Sequence, residues 1–158
     1  MNLQEQYNQQ EILTLYSERI KSLCKKALLI EDNHLILYLH NRYLTELGFT
    51  VEIANTLESA LQHASHQCYD LIVTDLGLPD SSNEPIITHL RNPPSLNLKT
   101  TLIVVTATDS QPLKSRCLKA GADEFMVKPL KKTELEKILP KLFNDNRIFS
   151  RQQSEKTK

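Results

Sequence analysis

Ala27-Leu28-Leu29-Ile30-Glu31-Asp32 is an aliphatic run that stops at two carboxylates, and the chain repeats the device three times. Leu-Ile-Val-Thr stops at Asp75, Leu-Ile-Val-Val at Thr106, and Phe-Met-Val at Lys128. Apolar runs of this length, without alternation and separated by segments of helical character, read as parallel strands covered on both faces. In open sheets of that kind the chemistry lies beyond the carboxyl ends of the strands. The four stops would therefore gather Glu31, Asp32, Asp75, Thr106 and Lys128 in one cleft.

Working outward, each run is followed by a helix signal. Leu35 to Leu47 reads as a helix stopped by Gly48, and Thr50 to Ala54 as the second strand. Asn55 with Glu58 suggests a capping box for a helix to about His66. Leu71 to Thr74 is the third strand, and Pro85 suits the first turn of a helix that Pro93 and Pro94 cannot continue. Thr101 to Val105 is the fourth strand. Pro112 to Ala120 is a helix ending at Gly121, Glu124 to Val127 a short edge strand, and the last helix has Thr133 with Glu136 as its cap. Pro140 should kink or end that helix near Leu139. The count is five strands alternating with five helices, an α/β pattern.

Composition narrows the classes. A chain of 158 residues suits one domain with a sheet covered on both sides. Its 19 basic and 19 acidic residues leave no net field to draw it to nucleic acid or a membrane surface. Cys24, Cys68 and Cys117 are odd in number and lack CxxC spacing, so they read as reduced thiols of a cytoplasmic protein. The polar N-terminus is unlike a signal peptide, and no apolar run approaches a membrane span. His34, His40, His63, His66 and His89 have no metal spacing and are expected on the surface.

Three carboxylates in a small volume repel one another. At ~4 Å and an effective dielectric of about 20, each pair costs roughly 4 kcal/mol, so the cluster needs a cation or a raised pKa. Mg²⁺, a hard ion that binds a few carboxylates together with phosphate oxygens, fits this ligand set. A Lys point charge and a Thr hydroxyl add what phosphoryl transfer demands, with Asp75 as the nucleophile forming an acyl phosphate.

Leu-Leu-Ile-Glu-Asp-Asn, Thr-Asp-Leu-Gly-Leu-Pro, Val-Thr-Ala and Phe-Met-Val-Lys-Pro, in this order and at these intervals, resemble the receiver domain of two-component response regulators. The resemblance covers about Ala27 to Phe143. It implies a flavodoxin-like, doubly wound five-stranded parallel sheet in strand order 2-1-3-4-5. It also implies roles: Asp75 as phosphoacceptor, Glu31 and Asp32 as the acidic pair holding Mg²⁺, and Gly77 as a metal ligand through its carbonyl. Thr106 resembles the switch hydroxyl, Lys128 the phosphate-contacting lysine, and Phe125 the switch aromatic. The Lys128–Pro129 bond is expected to be cis, as is usual in the family. The implied partners are a histidine kinase or a histidine phosphotransfer protein. Such a chain is not a turnover enzyme beyond Mg²⁺-dependent self-phosphorylation and slow autodephosphorylation. A departure from the pattern is Ser-Ser-Asn-Glu, where Asn83 stands at a turn that often carries glycine.

Two other classes remain to be separated. A pseudo-receiver would bind a partner without taking phosphate, against which the intact five-residue site argues. A phosphatase with an Asp nucleophile would show Asp-x-Asp, but Asp75 is followed by Leu76 and Gly77. Outside the receiver-like region, residues 1–24 read as a helical extension, with Leu13, Tyr16, Ile20 and Leu23 on one stripe. That stripe suits a homodimer, an upstream partner or packing on its own domain. Residues 25–143 are then the receiver domain, and 144–158 a polar, disordered tail.

Overall fold

The computed structural model describes residues 8–14, 25–77 and 85–144. Residues 9–14 are helical (α1). A reciprocal capping box starts this helix, with the Asn8 Oδ1 accepting from the Glu11 N–H at 2.9 Å and the Asn8 N–H donating to Glu11 Oε2 at 3.0 Å. Leu13 is 65% exposed. The rest of the apolar stripe, the Asn83 turn and the polar tail beyond Asn144 lie outside the described residues.

The remaining order is strict alternation. It runs β1 Lys25–Ile30, α2 His34–Glu46, β2 Phe49–Ala54, α3 Leu57–His66, β3 Leu71–Thr74, α4 Pro85–Arg91, β4 Thr101–Thr106, α5 Gln111–Ala120, β5 Glu124–Val127 and α6 Lys132–Asn144. All strand pairs are parallel and the sheet order is β2-β1-β3-β4-β5. This is the flavodoxin-like order that the resemblance implies.

The strands separate two apolar layers, because successive side chains point to opposite faces. Leu28, Ile30, Ile72, Leu102, Val104 and Phe125 pack with α3, α4 and α5. Ala27, Leu29, Val73, Ile103 and Val105 pack with α2 and α6, through Leu44, Leu135 and Leu139 among others. Every residue of β3 and β4 is buried, so these runs have no polar face to alternate.

Several local readings need correction. The cap of α3 is Thr56, whose hydroxyl accepts from the Ser59 N–H at 3.0 Å. Strand β2 holds the chain extended through Ala54, which pushes the helix start one residue beyond Asn55. Thr133 lies inside α6, since the Lys131 carbonyl already accepts from the N–H groups of Glu134 and Leu135. Pro140 does not end α6, which runs on to Asn144. Burial of Leu139 and Leu142 on the α2 side outweighs the one backbone donor that Pro lacks. His40 is buried rather than on the surface. It stands on the stripe that also carries Leu37, Leu44 and Leu47 toward the core. Gly48 and Gly121, both with positive φ, follow α2 and α5 as expected.

Candidate phosphoacceptor site

Sheet register assembles the site. Ile30 pairs with Thr74, so Glu31 and Asp75 leave adjacent strands side by side, and the Asp75 N–H donates to the Ile30 carbonyl at 2.9 Å. Thr106 pairs with Val127, so Lys128 leaves β5 beside the end of β4, and its N–H donates to the Thr106 carbonyl at 2.8 Å. The Lys128–Pro129 bond is cis, as is Pro93–Pro94.

The Lys128 ammonium bridges two acids, with Nζ 2.6 Å from Glu31 Oε2 and 2.9 Å from Asp75 Oδ2. All three side chains are largely buried. Burial works against the lysine's charge, but the hydrogen bonds to Glu31 and Asp75 outweigh it and hold its pKa above the ordinary value. Burial raises the pKa of Glu31, while its hydrogen bonds to Lys128 and to the Asn33 N–H offset part of that rise. A positive charge among carboxylates is the expected resting arrangement.

Asp32 joins Glu31 and Asp75 in one cluster, with a carboxylate oxygen from each lying within 4.8 Å of the others. An all-oxygen, triply acidic donor set fits a hard divalent cation such as Mg²⁺. The Gly77 N–H donates to Asp75 Oδ1 at 3.1 Å. A Cβ at position 77 would lie 3.8 Å from both Asp75 carboxylate oxygens, so glycine there leaves the approach to the carboxylate open. The Thr106 hydroxyl oxygen accepts from the Thr108 N–H at 3.3 Å. Phe125 is buried against the α3–α5 layer, paired in register with Val104. Six of the seven residues singled out from the sequence thus lie at or beside the carboxyl edge of the sheet, while Phe125 lies two residues before it, inside the core.

Sequence reasoning missed Asn33 and His40. Asn33 caps α2, its Oδ1 accepting from the N–H groups of Leu35 and Ile36 at 3.0 and 3.1 Å, and its own N–H donates to Glu31 Oε1 at 3.1 Å. The signal was present, since Asn immediately before an apolar periodic stretch is a helix start. His40 carries a buried Nε2 with no hydrogen-bond partner among the described residues. Its pKa is lowered to about 4, by burial first and by the Lys128 charge second, with Asp75 acting the other way.

Comparison with known proteins agrees with this geometry. The family profile of the response regulator receiver domain matches residues 27–140. The two-component response regulator PhoP of Pseudomonas aeruginosa is 36% identical over 111 residues, covering 70% of this chain and 48% of its own length. The chain thus spans about half the length of that relative. Among solved structures, a CheY-like receiver domain protein from Methanospirillum hungatei JF-1 superposes with a TM-score of 0.69 at 29% identity, covering 78% of this chain and 98% of that one. The receiver domain of the sensor histidine kinase PA1611 from Pseudomonas aeruginosa PAO1, which has a magnesium ion in its active-site cleft, gives 0.64 at 29% identity, covering 75% and 97%. The chain belongs to the response regulator receiver domain family of two-component signalling.

Proposed function

We propose that the protein accepts a phosphoryl group on Asp75 from a phosphohistidine, in an Mg²⁺-dependent reaction, and that the modification switches a partner-binding surface. The observation that carries this reading is the Lys128 bridge to Glu31 and Asp75 inside a triply acidic cluster. A carboxylate oxygen of Asp75 attacks phosphorus as the bond to the histidine nitrogen breaks, leaving an acyl phosphate on Asp75 and a free imidazole on the donor. Lys128 holds the nucleophile beforehand and moves its charge to a phosphoryl oxygen afterwards. Mg²⁺, held by Glu31, Asp32, Asp75 and the Gly77 carbonyl, would neutralise charge building on the phosphoryl oxygens. The Thr106 hydroxyl then turns toward the phosphoryl group and Phe125 fills the space it leaves. This biases a two-state surface made by α5, β5 and α6.

The donor would be a histidine kinase or a histidine phosphotransfer protein. Leu35 and Tyr38, 69% and 63% exposed, lie one turn apart at the start of α2, just beyond Asp32. They offer an apolar seat for the donor's histidine-bearing helix beside the acidic pair. Among the described residues no helix is long and apolar enough to cross a membrane, and this reading puts the protein in the cytoplasm without direct nucleic-acid contact. The N-terminal helical extension would serve a homodimer or an upstream partner, with packing on its own domain as the competing outcome. If it serves a dimer, light scattering will give a dimeric mass for the full chain and a monomeric one for Leu13→Glu; equal monomeric masses exclude a dimer, and equal dimeric masses exclude Leu13 from its interface.

Intact mass after incubation with acetyl phosphate and Mg²⁺ tests the central reading. One phosphate adduct is expected on the wild type and none on Asp75→Asn. A wild type that takes no phosphate would instead be a pseudo-receiver, and labelling of Asp75→Asn elsewhere would remove Asp75 from the role.

A further inference from the structure

We infer that Asn33 is a positioning residue for the metal and phosphoryl site, setting the Glu31 carboxylate by locking the turn between the acidic pair and α2. The inference rests on the metal-dependent reading above. Residue 33 is held to the helix by three bonds. Its side-chain oxygen accepts from the N–H groups of Leu35 and Ile36, and its carbonyl accepts from the Leu37 N–H at 2.8 Å. With the backbone fixed in an extended conformation, φ −77° and ψ 116°, its own N–H turns back across the acidic turn to Glu31 Oε1 at 3.1 Å.

The other Glu31 oxygen is taken by Lys128 at 2.6 Å. A glutamate has one more rotatable bond than an aspartate, so a carboxylate there needs two tethers to keep one position. The lysine alone cannot supply both, because it is shared with Asp75 and must move when a phosphoryl group arrives. Asn33 supplies the tether that does not move. A continuous chain of bonds thus runs from the first turn of α2 through Glu31 and Lys128 to the nucleophile. Groups that orient metal-site carboxylates typically change metal affinity by 10- to 100-fold when lost.

The test is Mg²⁺ titration of the full chain by calorimetry, with thermal unfolding recorded for each variant. Asn33→Ala removes the cap, Asn33→Ser restores one of equal quality, and Thr56→Ala removes the equivalent cap of α3, which lies outside the site. We expect roughly tenfold weaker Mg²⁺ binding in Asn33→Ala, near wild-type affinity in Asn33→Ser, and no change in Thr56→Ala despite a similar loss of stability. Unchanged affinity in Asn33→Ala, or an equal loss in Thr56→Ala, overturns the positioning role. A wild type that binds Mg²⁺ beside an unaffected Asn33→Ala overturns this inference alone. A wild type that binds none overturns the metal reading and this inference together.

Discussion

His40 has a chemical cost at the centre of α2. It is 2% exposed, its Nε2 has no partner among the described residues, and its pKa falls from 6.5 to about 4. A group whose pKa is depressed by folding binds protons more readily in the unfolded chain. The stability contributed by the neutral imidazole is therefore complete above pH 6.5 and is lost as pH falls toward 4. At 1.36 kcal/mol per pKa unit the loss reaches about 3 kcal/mol. His40→Leu should flatten this acid limb and raise stability at neutral pH, because it removes an unpaired buried nitrogen. Urea unfolding of both proteins at pH 7 and pH 5 measures the difference, and parallel slopes would show that His40 is not its source. The residue was misjudged in the sequence because its type, rather than its place three residues after Leu37 and four before Leu44, decided the reading.

Elements were legible where the pattern was long and apolar. All five strands and five of the helices follow from runs such as Leu71 to Thr74 and from stops such as Gly48, whose positive φ few other residues tolerate. Boundaries were less legible, since a cap depends on which hydroxyl or amide the backbone geometry brings to an N–H group. Asn55 and Thr56 are both good caps by type, and only the length of β2 decides between them. Pro140 shows tertiary packing overriding local preference. It sits on the exposed side of α6, while Leu135, Leu139 and Leu142 anchor the other side. The helix persists with one backbone bond missing, so Pro140→Ala should stabilise the protein by roughly 1–3 kcal/mol. A raised urea midpoint at unchanged m-value would show it, whereas a fall would mean that the proline ring contributes packing worth more than the bond.

At the scale of the molecule, the acidic cluster and a buried polar network occupy opposite ends of the sheet. The carboxyl edge carries the acidic cluster, legible because each of its residues ends an apolar run. The opposite edge is tied by a polar network that no run announces, because its members come together only through folding. Arg91 donates to the carbonyls of Asn97, Leu98 and Gly121 and to Asp123 Oδ2 at 3.0 Å, and that same oxygen accepts from the Leu102 N–H at 2.9 Å. Asn97, fully buried, joins Ala64 and Gln67 to the Tyr69 N–H. These bonds bind α3, α4, β4 and the α5–β5 turn together far from the acidic cluster. Both partners of the Arg91–Asp123 pair are about nine-tenths buried, where removing one charge strands the other. Asp123→Ala should therefore cost about 3–5 kcal/mol, read as a lower urea midpoint. On the proposed reading the folded fraction should still take one phosphate on Asp75, since the network lies at the opposite edge of the sheet from Lys128, Glu31 and Thr106. A loss below about 1 kcal/mol would mean that water solvates the guanidinium as well as the carboxylate does. Loss of phosphorylation in protein that remains folded would show that the two ends of the sheet are coupled.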